Sequence, residues 1–465
     1  MKVFLTHGYF LEEDEKEKII MKPYPPLGLL YISAYLDEKG IANEIFDTTF
    51  SSKNELRQKL LKTKPSYLAI YVNLMTKINV LWIIDFVRGK KELRNCIIIL
   101  GGPEVRHNAK NFLEAGADYV VIGEGEETLT DLLNTLVERN STRINDVQGI
   151  GFKDEANKII LTDDRTLIKS IDELPIADRK KIDIKQYQRV WKEYHGIDAI
   201  SISTMRGCPY TCKWCSRAVY GLTYRRRSPK VVVDEIELII YEYHPDTLWF
   251  VDDVFTINYD WMKEFCSELK ERKVDIQYEC ITRSDRMNEN IISLLKDSGC
   301  YRVWIGAESG SQRVIDYMDR RVNVDQVRDM IHLSKSYGIE TGTFIMLGYP
   351  GETEEDIEET IDHLKESNPD YFTITLAYPI KGTEFYQQVE TDLNNSFDWK
   401  LNTDRERVFK RTYAKQYYKQ ALRRVVNELN YHKAISNGRQ LSLRNLNYKA
   451  RSIIAKAGMY LARKI

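Results

Sequence analysis

Met205-Arg206-Gly207-Cys208-Pro209-Tyr210-Thr211-Cys212-Lys213-Trp214-Cys215 is the stretch on which the reading of the whole chain turns. Its cysteines are spaced C-x3-C-x2-C, so three thiolates on one short loop can converge on a single inorganic centre. Soft thiolates select iron–sulfur clusters or zinc. A structural zinc site needs four ligands, and the next candidates, His195 and His244, lie outside the loop. Three ligands for a four-iron cube leave one iron open, and an open coordination position is a place for chemistry. The chain has 7 cysteines, an odd number with three gathered in one loop. That usage fits a metal or cluster site in a reducing compartment and not a disulfide framework. Cys96, Cys266, Cys280 and Cys300 read as small buried apolar residues.

Outward from the loop, an apolar strand precedes it at Ala199–Ser203. Five more follow at Thr247–Asp253, Ile276–Arg283, Tyr301–Ser309, Glu340–Gly348 and Tyr371–Pro379, with helical stretches between them. This predicts six β–α units, and in barrels of such units functional residues gather at the carboxyl ends of the strands.

The amino-terminal third alternates in the same way. Lys2–His7, Glu44–Asp47, Tyr67–Val72, Cys96–Leu100 and Tyr119–Ile122 read as buried strands. Amphipathic segments lie near Leu27–Lys39, Lys53–Thr63, Thr76–Arg88 and His107–Ala115, and a last helix follows Glu126. The pattern predicts an α/β domain with a doubly wound parallel sheet covered on both faces. Gly101-Gly102-Pro103 closes the fourth strand and Gly123-Glu124-Gly125-Glu126 the fifth, where open parallel sheets bind ligands; the same loops also read as tight turns. No G-x-G-x-x-G follows the first strand, which argues against an ordinary dinucleotide site. Gly149–Lys153 and Lys158–Leu161 read as a hairpin, and a domain boundary is expected there.

Composition agrees with a soluble globular protein of several domains. The chain has 465 residues, 43% of them hydrophobic and 29% charged, which excludes a fibre or wholesale disorder. No run of eighteen apolar residues occurs, and Met1–Gly8 reads as a buried strand and not as a cleavable signal, so a cytoplasmic location is expected. The formal charge of −1 conceals an asymmetry: Leu401–Ile465 carries sixteen Lys or Arg against three Asp or Glu. A basic tail on an acidic body suggests an anionic partner, or a basic cap packed on that body.

Arg206-Gly207-Cys208-Pro209 with the two following cysteines resembles the radical S-adenosylmethionine (SAM) superfamily. The resemblance implies that Cys208, Cys212 and Cys215 hold a 4Fe-4S cluster, with SAM on the unique iron. One electron from an external donor of flavodoxin or ferredoxin type then releases a 5′-deoxyadenosyl radical, which abstracts hydrogen. It also implies that the six β–α units form a partial (β/α)6 TIM-like barrel. In that frame Trp214 flanks the adenine, Asp252 and Asp253 accept from the SAM ammonium, and Arg283 holds its carboxylate or ribose. Glu308 accepts from the ribose hydroxyls, and the loop at Gly348 contacts the adenine.

A Rossmann-like domain ahead of such a barrel resembles the cobalamin (B12)-binding group of that superfamily. The resemblance rests on the loop Tyr24–Leu30, with Pro26 and Gly28, on Gly101, Gly102 and Glu104, and on Gly123 and Gly125. It covers roughly residues 1–390 and implies that the first domain holds cobalamin. Two departures stand out: the D-x-H-x-x-G motif is absent, and Glu104 occupies a position that is often histidine. The expected organisation is a cobalamin-binding domain over 1–145, a hairpin and linker over 146–195, the radical SAM barrel over 196–393 and a basic helical region over 394–465.

The leading functional expectation is a cobalamin-dependent radical SAM methyltransferase. A substrate radical takes its methyl group from methylcobalamin, so an unreactive carbon can be methylated. Alternatives are a cyclase or oxidative enzyme of the same group without methyl transfer and, from another class, a cluster-bearing redox sensor or nucleic-acid-binding protein. Substrate walls are expected from inward residues such as Trp304 and Tyr378, and the substrate is expected to be a small molecule or lipid. Phe409–Leu429 and Arg451–Ile465 read as basic amphipathic helices, suited to capping the barrel or lying on an anionic membrane; nucleic acid is the less favoured partner. Arg225-Arg226-Arg227 is a second basic spot, expected either to meet an anionic cofactor or substrate group or to be a solvated loop.

Overall fold

The computed structural model describes residues 2–138, 141–393, 397–436 and 442–463. Asn394, where the basic region is expected to begin, and residues 464 and 465 of its expected last helix lie outside the described residues.

The first five apolar runs form β1 (Lys2–His7), β2 (Ala42–Phe46), β3 (Tyr67–Tyr71), β4 (Ile97–Gly101) and β5 (Tyr119–Val121). They pair in parallel in the order β2-β1-β3-β4-β5. Leu5 stands opposite both Ile45 and Ala69, and Ile70 opposite Leu100. Because strand residues alternate between faces, Phe4 packs in one core and its neighbours Val3 and Leu5 in another. The first core is covered by helices Lys53–Thr63, Lys77–Arg88 and Val105–Glu114, the second by Leu27–Glu38 and Gly125–Val137. Burial on both faces explains why these strands read as continuous apolar runs. The hairpin β6 (Ile150–Lys153) and β7 (Ile159–Leu161) adds antiparallel to β5, Phe152 facing Tyr119, and widens the sheet to seven strands.

After it come β8 (Ala199–Ile202), the short ribbon of β9 (Met205–Arg206) and β10 (Arg225–Arg226), and then β11 (Thr247–Phe250), β12 (Tyr278–Thr282), β13 (Cys300–Glu308), β14 (Glu340–Leu347) and β15 (Tyr371–Leu376). The second large sheet has the order β15-β14-β13-β12-β11-β8, that of the chain itself. Its parallel register sets Trp304 between Ile281 and Gly342. This is the order of an open, partial (β/α)6 barrel.

By backbone packing the chain forms two compact units. One comprises Met1–Pro209, Ser216–Trp249 and Ser396–Asp404; the other comprises Tyr210–Cys215, Phe250–Asn395 and Arg405–Ile465. In the second, helices Lys415–Ser436 and Leu443–Ala462 pack on each other, and the longer one lies against helix Glu354–Ser367. Arg424 donates to Glu358 at 2.5 Å and Lys433 to the Pro369 carbonyl at 2.5 Å. The first tail helix therefore begins later than its periodicity suggests. Phe409 is buried with Tyr349 and Phe385 ahead of it, and Arg411 donates to the Ala377 carbonyl at 2.7 Å. Among the described residues no helix is long and apolar enough to cross a membrane.

Candidate active site

The cysteine loop is closed at its base by the β9–β10 ribbon, in which Arg206 faces Arg225. Gly207 follows with φ +83, and a Cβ there would lie 2.4 Å from Thr223 Oγ1 and 2.6 Å from its carbonyl oxygen. Only glycine admits both that backbone and that approach.

Arg206 itself is buried between two carboxylates. Nη1 donates to Glu124 Oε1 at 2.8 Å and Nη2 donates to Glu126. Arg225 Nη1 also donates to Glu124, at 2.8 Å, and to the Ile168 carbonyl at 2.6 Å. Tyr220 and Tyr31 lie 5.5 and 6.0 Å from the Arg206 guanidinium. Burial opposes its charge, yet Glu126 and the other acceptors hold it above the ordinary arginine range. Two arginines and two glutamates thus neutralise one another out of water, which lets four charges share a buried site.

This network corrects the expectation for the triple arginine. Arg225 is spent on Glu124, and Arg227 donates to the fully buried Glu235, which Arg179 also meets at 2.7 Å. Arg226 donates to Thr204 Oγ1 at 3.1 Å. The run is neither a solvated loop nor a free anion receptor. Three adjacent arginines look alike in sequence, and their carboxylate partners lie on distant elements.

In the second unit, Cys212 is buried and receives two guanidiniums, Arg283 Nη1 at 3.6 Å and Arg320 Nη1 at 3.7 Å. Arg283 is fixed by Asp285 Oδ1 at 2.8 Å, by the Arg320 carbonyl at 2.7 Å and by the Tyr210 ring at 3.8 Å. Arg320 donates to the Gly306 carbonyl at 2.9 Å, lies 3.9 Å from Glu308 Oε1 and stands 5.8 Å over the Trp214 ring. Sequence reading passed over Arg320, since Asp319-Arg320-Arg321 looks like a solvated turn. Trp214 is half-buried and packs with Met346, Tyr349 and Phe385.

Glu308 reaches this group through a local irregularity. The β13–β14 register shifts between Gly306 and Glu308, and Glu308 has φ +67. A bulge at a strand end re-aims a side chain that simple alternation would send elsewhere. Burial raises the Glu308 carboxyl, with Arg320 and Arg283 opposing. Gly348, one residue beyond β14, donates its N–H to Glu352 Oε2 at 2.6 Å. Glu352 is fully buried, its Oε1 has no hydrogen-bond partner among the described residues, and burial pushes its carboxyl up to about 8. Asp252 and Asp253 follow β11. Asp252 is buried and Asp253 exposed; partial desolvation and then the charge of Asp252 raise the Asp253 carboxyl. Trp304 stacks on Phe344 at 5.1 Å and donates to Glu279 at 2.9 Å, while Tyr378 lies beside Arg405.

In the first unit, Gly102 has φ +114 and a Cβ there would lie 2.4 Å from the Val72 carbonyl. Pro26 precedes helix Leu27–Glu38. A Cβ added at Gly28, Gly101 or Gly123 would meet nothing closer than 3.6 Å, an ordinary contact distance. At Gly125 the side chain of Ile32 comes within 2.8 Å of that position. Glu104 is buried and accepts from Asn108 Nδ2 at 3.0 Å.

The donor sets fit the implied groups. Three thiols on one loop and outside any disulfide, one of them facing two guanidiniums, suit an iron–sulfur cluster, whose sulfurs are tuned by such hydrogen bonds. Among the described residues no three His, Cys, Asp or Glu side chains are grouped to hold a single metal ion, a closeness that a cube with separated corners does not demand.

Residues 202–364 match the model of the radical SAM superfamily and residues 21–133 that of the B12 binding domain. An uncharacterized methyltransferase of Pyrococcus horikoshii is 27% identical over 407 residues, 86% of this chain and 86% of the relative. The anaerobic magnesium-protoporphyrin IX monomethyl ester cyclase of Rubrivivax gelatinosus is 27% identical over 386 residues, 79% of this chain and 66% of the cyclase. The fold is shared with the radical S-adenosylmethionine methyltransferase TsrM from Kitasatospora setae, solved with cobalamin and a [4Fe-4S] cluster bound. The TM-score is 0.72 at 15% identity, with 99% of each chain covered. The chain therefore carries a B12-binding domain followed by a radical SAM domain, and is a radical SAM enzyme whose cofactors are a 4Fe-4S cluster, S-adenosylmethionine and cobalamin.

Proposed function

We propose that this enzyme methylates an unreactive carbon of a small-molecule or lipid substrate, drawing electrons from a flavodoxin- or ferredoxin-type donor in the cytoplasm. When bound, the cluster with SAM supplies a hydrogen-abstracting radical and cobalamin supplies a transferable methyl group. The observation that carries the reading is the buried pairing of Arg206 with Glu124 and Glu126. It joins the strand that enters the cysteine loop to the loop expected to face cobalamin.

Within this reading Cys208, Cys212 and Cys215 ligate the cluster, and Arg283 and Arg320 hold the Cys212 sulfur by donating to it. Glu308 and the Asp252–Asp253 pair accept from the hydroxyls and ammonium of SAM, and Trp214 and the Gly348 loop contact its adenine. Gly28, Gly101, Gly102, Gly123 and Gly125 let cobalamin approach the backbone, with Pro26 and Glu104 beside them. Trp304 and Phe344 offer the substrate an aromatic wall. The similarity to the Rubrivivax cyclase favours a second reading, ring formation without methyl transfer.

The two readings part in an anaerobic incubation of the reconstituted enzyme with methyl-labelled SAM and cobalamin. Label on protein-bound cobalamin is the expected result. Deoxyadenosine formed while cobalamin stays unlabelled favours the cyclase-like reading.

A further inference from the structure

Helix Leu443–Ala462 buries one side and exposes apolar residues on the other. Asn445, Ser452, Ala455, Met459 and Ala462 form the buried side, packed in the helical hairpin with Lys415–Ser436. On the other side Leu446, Ile453, Ile454, Tyr460 and Leu461 are between 55% and 69% exposed, and Leu443 is 87% exposed. At 3.6 residues per turn these six project within an arc about 120° wide, and the exposed Ala450 and Ala457 fall inside it. Among the described residues these side chains remain largely exposed. Scattered apolar residues on a surface need no explanation, but a contiguous stripe along five turns marks an interaction face.

The charges around the stripe identify what it meets. From Leu443 to Arg463 there are five Lys or Arg and no Asp or Glu. The same helical geometry sets Arg444 and Arg451 along one border of the stripe and Lys449 and Lys456 along the other. Arg451 has no ion-pair partner among the described residues, whereas Lys449 reaches Glu428 at 3.0 Å and Lys456 reaches Glu358 at 3.8 Å. A bare apolar strip bordered on both sides by long cationic side chains matches the interface of an anionic bilayer. The strip enters the acyl boundary while the cations snorkel to the phosphates. A second copy of this chain fits poorly, because apposing the two stripes brings the cationic borders together.

We propose that the exposed face of helix Leu443–Ala462 docks the enzyme on anionic phospholipid membranes, with the helix lying in the plane of the interface. This goes beyond the catalytic reading and does not depend on it, since binding requires neither cofactor nor turnover.

The test is co-sedimentation of the full-length protein with vesicles of phosphatidylcholine alone and of equal parts phosphatidylcholine and phosphatidylglycerol. The expected result is binding to the anionic vesicles, weakened by salt, and roughly tenfold or more weaker to phosphatidylcholine alone. Ile454→Asp/Leu461→Asp should lose the binding while keeping the wild-type melting temperature, because both side chains are exposed. Arg444→Glu/Arg451→Glu should lose the preference for anionic vesicles. Failure of the wild type to bind anionic vesicles overturns the proposal, as does equal binding by the Ile454→Asp/Leu461→Asp variant. A wild-type dimer in solution that the same variant makes monomeric, without vesicle binding, assigns the face to self-association instead.

Discussion

Arg206 donates to Glu124 across 2.8 Å in a buried ion pair that ties the strand entering the cysteine loop to the loop after β5. With Glu126 on its other nitrogen and Arg225 on Glu124, Arg206 is the centre of a closed set of four charges. Removing one partner of a buried pair leaves its mate charged and desolvated, which costs about 3–5 kcal/mol. Arg206→Ala should therefore lower the melting temperature strongly. Arg206→Lys should recover little, since an ammonium cannot bridge two carboxylates as a planar guanidinium does. Glu126→Gln, which leaves Glu124 paired, should cost less than either. An Arg206→Ala protein with wild-type stability would remove the pairing from the account.

Gly207 sits where both the backbone angle and the approach of Thr223 exclude a side chain. The nearest backbone atom, the Thr223 carbonyl, cannot swing aside as a flexible side chain would. Gly207→Ala should cost on the order of 1–3 kcal/mol and lower the iron and sulfide held per chain after anaerobic reconstitution. Reconstitution to the wild-type iron content would show that the ribbon tolerates a side chain.

Arg320 donates to Cys212 and also borders Glu308 and Trp214. A buried cation beside a cluster ligand favours the more negative, reduced cluster. Arg320→Gln keeps much of the volume and removes the charge, so the midpoint potential should fall by on the order of tens of millivolts. Potentiometric titration followed by electron paramagnetic resonance reads this directly. An unchanged potential with unchanged iron content would mean that Arg320 does not act on the cluster.

Glu352 gives the folded protein a characteristic pH dependence. Burial raises its carboxyl from an ordinary value of 4.5 to about 8, so between those values the folded state keeps a proton that the unfolded state has lost. Stability from this group is full below the lower value, declines as pH rises through the window and is lost above about 8; the span is worth on the order of a few kcal/mol. Glu352→Gln retains an acceptor for the Gly348 N–H and cannot ionise. The melting temperature of the wild type should fall from pH 5 to pH 8 by more than that of the variant. Parallel curves for the two proteins would rule out Glu352 as the source.

Much of this architecture is legible from local pattern. Lys53–Thr63 is bounded by a Ser52–Glu55 capping box and matches its expected limits residue for residue, and β1 does the same. The cysteine loop is legible because the spacing of its ligands is itself local. What escapes is long-range. Arg320 meets Cys212 across 108 positions, and Arg225 meets Glu124 across 101, so in sequence each is one arginine among many. Glu308 is legible from its position at a strand end, whereas the register shift beside it is not. The tail's basic periodicity is legible, whereas which face of its last helix is covered depends on the partner helix.

The central claim, methyl transfer by a radical route, is tested most directly by the stoichiometry of SAM products during substrate turnover. With a methylated product forming under anaerobic reduction, the account predicts S-adenosylhomocysteine and 5′-deoxyadenosine in near-equal amounts, both abolished in Cys212→Ala. One SAM supplies the methyl group and the other supplies the radical. Deoxyadenosine accumulating with product while S-adenosylhomocysteine stays at background would contradict methyl transfer.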